Sequence, residues 1–312
     1  MFLLTLFSSI SLAEQQLILF TDKTESVIGR PIRIDLYAIS LKEKISEINL
    51  RPLKHNFGVV TDYIISETTD KRWPGKSIQI LKLKLYPRKT GKIIIPRISS
   101  DGIHTTEKTL NIIKGKPDLP EIKFSKKTPF ERQQIIVTFT VNSTESTSRL
   151  SLMDTIESRN FESIKLPFKR YKIKPGVYQL QIGLSLSALK SGSLSLELPP
   201  IEYSVSGVSR KKFYSPIKDI NFKPLPSYLP PTIPVGKVSI QSKPPSDKLL
   251  KSESIYYWNV SLKGLLNSTY ELPAILRQLK SNSNIKFFPA ESIRSSNTTV
   301  NSLISIVNHS IP

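Results

Sequence analysis

The stretch that decides the fold is LKLKLYPRKTGKIIIP, residues 81–96, in which leucines alternate with lysines before a turn and a second apolar run. A period of two places successive side chains on opposite faces of a β-strand, so the leucines should be buried and the lysines solvated. Gly91 can adopt the positive φ of a tight turn, and Pro96 would end the returning strand. The stretch therefore predicts a hairpin of two antiparallel strands.

The same pattern recurs as LQIGLSLSALKSGSLSLELP, residues 180–199. Gly91 and Gly192 lie 101 positions apart, close to the length of one immunoglobulin-like sandwich. Segments that start at Phe20, Phe124 and Ile240 also share a strand, a polar turn and an alternating strand. Short apolar runs continue to about Leu262, so the sequence predicts an all-β protein of tandem immunoglobulin-like antiparallel β-sandwich domains.

The repeats and the prolines set the predicted boundaries. They give an immunoglobulin-like sandwich at 16–115, a second at 117–224, a Pro-rich linker at 225–233 and a third β-rich domain at 234–312. The linker should be stiff and extended because proline favours the polyproline conformation. The third domain lacks the glycine turn, so we expect it to be incomplete, and only Ser268–Ser281 has the pattern of a short helix.

Residues 1–13 have the pattern of a signal peptide, an apolar core followed by small residues that end at Ala13. No Lys or Arg precedes this core, and the alternative is a first buried strand. The chain contains no cysteine, which excludes disulfides, thiolate nucleophiles and Cys-based metal sites. The sequence therefore predicts an exported chain stabilised by packing alone.

The formal net charge is +20, which would attract nucleic acid, anionic lipid surfaces or acidic proteins. The basic residues are spread along the chain and alternate with apolar ones, which is typical of solvated strand faces that keep sheets soluble. We prefer this interpretation to a nucleic-acid site, for which stacked aromatic residues among the basic ones would be expected. We therefore expect no nucleic-acid partner.

No motif for phosphate binding, dinucleotide binding, serine hydrolysis or zinc proteolysis occurs, and the three histidines are far apart in sequence. We predict a non-enzymatic protein without a catalytic residue, a cofactor or a metal site. The candidate partner-binding residues are Trp73, Tyr257 and Trp258, because tryptophan and tyrosine dominate binding hot spots. Trp73 lies in a turn sequence, and a strand would divide Tyr257 and Trp258 between two faces.

Five segments of the chain resemble the BatD family, the exported aerotolerance-type or oxygen-tolerance proteins. They are VIGRPIRID (27–35), LRPLKHNFGVV (50–60), LYPRKTGKIIIPRI (85–98), TTEKTLNI (105–112) and LKGL with ELP (262–265 and 271–273). The likeness covers most of the chain and is most specific between residues 50 and 98.

The resemblance implies a non-catalytic periplasmic scaffold at the inner membrane. It also implies binding to membrane-tethered von Willebrand A-domain proteins that are linked to a MoxR-type AAA+ ATPase. Family members carry a C-terminal transmembrane helix, which this sequence lacks. The alternative function is a carbohydrate- or surface-binding module of the adhesin kind, since a basic sandwich suits anionic glycans.

Overall fold

The computed structural model describes residues 15–156, 158–206, 210–229, 235–236, 238–243, 255–264, 285–296 and 299–308. The predicted signal peptide at 1–13 and the predicted helix at Ser268–Ser281 lie outside these residues, as do residues 230–233 of the predicted linker. From residue 255 onward only the course of the backbone is described.

Three units follow one another along the chain. The first contains β1 Gln16–Thr21, β2 Glu25–Val27, β3 Ile32–Ile39, a 3-10 turn Ile45–Glu47, α1 Arg51–Lys54, β4 Phe57–Thr68, β5 Ile78–Pro87, β6 Gly91–Ile95, β7 Ser99–Ser100, β8 Ile103–His104 and β9 Lys108–Ile113. The second contains β10 Glu121–Phe124, β11 Ile135–Ser143, β12 Arg149–Leu152, β13 Phe161–Lys174, β14 Val177–Ala188, β15 Gly192–Leu196, β16 Ile201–Ser204, β17 Lys211–Phe213 and β18 Lys218–Phe222. The third contains β19 Val238–Lys243, β20 Ile255–Gly264, β21 Ile285–Ser296 and β22 Thr299–Asn308.

Each unit contains a four-stranded sheet with the same pattern of strand order. The orders are β1-β3-β5-β4, β10-β11-β14-β13 and β19-β20-β22-β21. In the first unit the remaining strands form sheets β2-β9-β6 and β7-β8, and in the second unit they form β12-β16-β17 and β15-β18. Within the described residues the named strands pair antiparallel, except for β2 with β9. The chain is thus all-β, built from tandem immunoglobulin-like antiparallel β-sandwiches, as its sequence predicted.

The glycine turns do not form the predicted hairpins. β5 pairs with β3 and β4, whereas β6 pairs with β9 in the other sheet, so the turn at Gly91 carries the chain across the sandwich. The turn at Gly192 does the same between β14 and β15. Both glycines have the expected positive φ, 97° and 104°. The prediction was wrong about pairing because local sequence fixes a turn but not the sheet in which the next strand finds its partner.

The core follows from the alternation in the strands. Leu81, Leu83 and Leu85 of β5 are buried between the sheets, and Lys82 and Lys84 lie on the opposite face. Most of the buried apolar residues of the first two units form one continuous cluster. Period-two burial therefore holds where the sequence predicted it.

The joint between the first two units contains a buried arginine. Arg88, which is 2% exposed, donates hydrogen bonds through Nε to the carbonyl oxygen of Lys54 at 2.9 Å and through Nη1 to that of Ser215 at 2.5 Å. Its Nη2 pairs with the carboxylate of Glu197. Because these contacts reach residues of both units, Arg88 fixes the second unit against the first.

Aromatic rings pack tightly beside this arginine. The ring centroids of Tyr86 and Tyr214 are 5.2 Å apart. A Cβ at Gly58 would lie 2.1 Å from the ring of Tyr214, so only glycine leaves room for that ring. Burial raises the pKa of both tyrosines. The joint is accordingly a packed interface rather than a flexible tether.

Candidate binding surface on the first sheet

The candidate site is the outer face of the sheet β1-β3-β5-β4, on the side away from the core. Strand register places two rows of side chains across this face. The inner row is Ile18, Tyr37, Ile80 and Ile65, and the open row is Phe20, Asp35, Lys82 and Tyr63. The two rows run across all four strands and differ in what covers them.

The inner row forms a small second core. Tyr37, Ile78 and Ile80 are buried, although they face away from the main core, and Trp73 packs against them. Trp73 belongs to the segment 69–77, which connects β4 to β5 and folds back over the sheet. The tryptophan is therefore partly buried, and its turn forms a lid over one row of the outer face.

Arg72 lies at the centre of an aromatic cluster beside this lid. Its guanidinium carbon is 4.6 Å from the ring centroid of Trp73, 4.9 Å from that of Tyr37 and 5.3 Å from that of Phe20. The rings also contact one another, with centroids 5.3 Å apart for Phe20 and Tyr37 and 5.5 Å apart for Tyr37 and Trp73. Such cation–π contacts hold a guanidinium in a fixed position on an apolar surface.

Asp70 holds the other side of the arginine. Its carboxylate accepts hydrogen bonds from Nη2 of Arg72 at 2.7 Å and from Nε at 3.0 Å, and also from the backbone amide of Arg72 at 2.9 Å. The Arg72 side chain and its backbone amide lower the pKa of Asp70 to about 2. The hydrogen bond to Asp70 in turn raises the pKa of Arg72. The pair is therefore fully ionised throughout the physiological pH range.

The open row lines a groove of about 390 Å³. Phe20 and Tyr63, at its two ends, are 39% and 47% exposed, and between them Nζ of Lys82 lies 3.4 Å from the carboxylate of Asp35. The contact of Lys82 with Tyr63 and the charge of Asp35 raise the pKa of Lys82. The groove is also lined by Thr21, Asp22, Arg33, Asp62 and Leu83.

The arrangement combines exposed aromatic faces with charges that are held in place. Aromatic residues and arginine dominate the energy of protein interfaces, particularly where neighbouring contacts already fix the side chain. Within the described residues no three His, Cys, Asp or Glu side chains come close enough to hold a metal ion.

The structure describes the side chain of only one of the three predicted binding residues. Trp73 lies in this cluster as described. Tyr257 and Trp258 lie in β20, where they pair with Ser305 and Ile304 of β22, but their side chains are outside the described part of the structure. The sequence prediction missed Phe20, Tyr63 and Arg72. Alternation in β1 indicates the outward direction of Phe20, but nothing local shows that a distant turn brings Arg72 to it.

No family model matches the chain, and no curated protein does. Solved structures with some likeness include the Escherichia coli adhesin FdeC, with 10% identity over 95% of this chain and 88% of that chain at a TM-score of 0.19. The Yersinia pseudotuberculosis adhesin InvE shows 11% identity over 67% of this chain and 58% of that one at 0.20. An ICAM-5 ectodomain fragment shows 7% identity over 95% and 70%, at 0.18.

Among the residues whose structure is described, no helix has the length and apolar character needed to cross a bilayer.

Proposed function

We propose that this protein is a non-catalytic, exported scaffold that binds another protein through the outer face of its first sheet. The observation that carries the proposal is the open row of that face. Phe20 is exposed at one end beside the fixed side chain of Arg72, and Tyr63 is exposed at the other end beside Lys82. Contact of an aromatic side chain with water is unfavourable, so a partner that covers the ring gains free energy from its burial.

The rigidity of the site supports protein binding. Arg72 is already held by Asp70 and three rings, and Lys82 is held by Asp35. These two side chains would therefore lose little additional conformational entropy when a partner binds. The surface carries both signs of charge beside its aromatic rings. An interface of this kind favours a protein with its own apolar centre and charged rim.

We further propose that the scaffold acts in the periplasm within an aerotolerance-type complex. Its partners would be membrane-tethered von Willebrand A-domain proteins that connect it to a MoxR-type ATPase. The support for this assignment is the sequence resemblance of the segments between residues 27 and 112 to the BatD family.

The test is an affinity capture from envelope extract with the tagged chain as bait, compared with Tyr63→Ser and Arg72→Gln. Loss of a hot-spot tyrosine should weaken the captured complex roughly 30-fold. Tyr228→Ser is the matched control because Tyr228, which is 81% exposed, lies outside the sheet. Equal capture by all variants would exclude the outer face as the binding surface.

The identity of the captured protein tests the narrower assignment separately. Recovery of von Willebrand A-domain proteins would support the aerotolerance complex. If capture depends on Tyr63 but the captured protein belongs to another class, the binding surface would be supported and the aerotolerance complex would be excluded.

A glycan is the second candidate ligand. Carboxylates of Asp22, Asp35 and Asp62 line the groove between the two exposed rings, and aromatic walls with a few oriented polar groups are typical of small-ligand sites. Glycan binding that persists at high salt and disappears in Tyr63→Ser would favour this candidate. Binding seen only at low salt would reflect the net charge of the chain.

A further inference from the structure

A second surface lies on the hairpin of the second unit that joins β13 to β14. Residues 169–176, KRYKIKPG, are all exposed, and they end in a turn in which Gly176 has a φ of 71°. At the corresponding position of the first unit the segment 69–77 folds back over the sheet. Here Pro175 and Gly176 connect the strands directly, so the hairpin projects and no segment of the described structure folds over it.

The projecting hairpin is cationic. It contains Lys169, Arg170, Lys172 and Lys174 and no acidic residue. Arg170 donates a hydrogen bond to the carbonyl oxygen of Ser148 at 2.5 Å. No carboxylate of the described residues forms an ion pair with the three lysines. Cations without neutralising partners leave their full charge available to an anionic surface.

Two apolar side chains stand among these cations. Tyr171 is 45% exposed and Ile173 is 54% exposed, which makes Ile173 one of the most exposed large aliphatic residues in the described structure. Lysines alone would explain protection of an edge strand from aggregation. They do not explain an isoleucine and a tyrosine that are left in water at the same tip.

We propose that this hairpin docks on anionic lipid surfaces, with Tyr171 and Ile173 entering the headgroup boundary and the basic side chains contacting lipid phosphates. Strand register places Lys169 and Tyr171 opposite Gln181 and Gln179, and Arg170 and Lys172 opposite Leu180 and Tyr178, so cations occur on both faces. A lipid surface can contact charges on both sides of a narrow tip, whereas a strand-like peptide would bind along one edge. Register shifts between Leu166 and Lys169 and between Lys172 and Lys174 interrupt that edge, which disfavours strand addition.

The first experiment measures partition of the purified chain onto vesicles of equal parts phosphatidylglycerol and phosphatidylcholine. Each basic residue near an anionic membrane contributes about fivefold to partition, so Lys172→Gln with Lys174→Gln should lower it roughly 30-fold. Tyr171→Ser with Ile173→Ser should lower it at least about tenfold through lost apolar burial.

The matched control is Lys89→Gln with Lys92→Gln, which removes the same charge from exposed positions of the first unit. We expect a change of about twofold or less. An equal fall in both lysine pairs would show that the overall field of the chain, rather than the hairpin, drives adsorption, and would overturn the proposal. Binding to polyglutamate through the hairpin, without binding to vesicles, would instead indicate an acidic protein partner.

A spectroscopic readout reports insertion directly. Because the chain has no cysteine, Ile173→Cys can carry a single environment-sensitive fluorophore. The emission should shift to the blue when anionic vesicles are added, and the same label at Lys89→Cys should not respond. No shift at position 173 would mean that the tip stays in water.

Discussion

Replacement of Arg88 by methionine tests the joint between the first two units. Methionine has a similar length and no polar atoms, so it fills the space while removing every hydrogen bond of the guanidinium. The Ser215 residue is buried, and its carbonyl oxygen would lose the donor at 2.5 Å. Loss of a partner at a buried acceptor costs about 1–3 kcal/mol.

The other two contacts add smaller terms. Lys54 is exposed, so water can replace part of the bond to its carbonyl oxygen, and the side chain of Glu197 is half exposed and can rehydrate. Exposed ion pairs contribute about 1 kcal/mol or less. We therefore expect Arg88→Met to lower the free energy of unfolding by about 3 kcal/mol.

The assay is urea unfolding of the purified chain, followed by circular dichroism, together with limited trypsin cleavage after Lys114 in the segment between the units. The variant should unfold at lower urea and be cleaved faster, because the second unit separates from the first. Glu197→Gln is the control, and we expect a loss below about 1 kcal/mol because glutamine keeps an acceptor for Arg88. A loss below about 1 kcal/mol in Arg88→Met itself would refute the view that this arginine holds the joint.

Three further predictions concern single positions. Gly58→Ala should cost about 1–3 kcal/mol because its Cβ would overlap the ring of Tyr214, and the cost should largely disappear in a Tyr214→Ala background when both are measured by urea unfolding. The carboxyl group of Asp70 should titrate near pH 2 by NMR and at a clearly higher pH in Arg72→Gln, since the side chain of Arg72 is the main cause of its lowered pKa. Ionisation of Asp70 stabilises the folded chain fully above about pH 4, the ordinary pKa of the carboxyl group in the unfolded chain. This stabilisation is lost as the pH falls through about 2, the pKa of Asp70 in the folded chain. Gly91→Ala should cost about 1–2 kcal/mol from backbone strain at φ 97°, with no steric term because open space surrounds it.

Additivity of Gly58→Ala and Tyr214→Ala would contradict the packing described at the joint. An Asp70 midpoint near 4 in the unmodified chain would contradict its fixed pairing with Arg72. A Gly91→Ala chain as stable as the parent would mean that the turn relaxes to a negative φ.

Strands with regular alternation were predictable from sequence, and the long edge strands β4 and β13 were not. β5 and β14 lie inside their sheets, and one face of each strand packs on the core. Every second residue is therefore apolar, and the sequence shows a period of two. β4 and β13 lie at the edge of their sheets, and each contains two register shifts that interrupt the alternation. Pro167 within β13 also reads as a break in a sequence, although proline is tolerated at an edge.

The candidate site was predictable only at Trp73, through its residue type and its turn. The site itself depends on a segment that returns over the sheet and places Arg72 among Phe20, Tyr37 and Trp73, residues that are separated by up to 53 positions. Contacts of that kind follow from the topology of the sheet, which local patterns do not encode. The joint at Arg88 was missed for the same reason, since its partners are Lys54, earlier in the same unit, and Glu197 and Ser215, more than 100 positions later in the second unit.

The most direct test of the binding surface is site-specific photo-cross-linking in the cell envelope. A benzoyl-phenylalanine at position 63, in the open row, should give a discrete cross-linked adduct that disappears when Arg72→Gln is added. The same group at position 228, outside the sheet, should give none. Equal adducts at both positions, or none at position 63, would contradict a partner bound on the outer face of the first sheet.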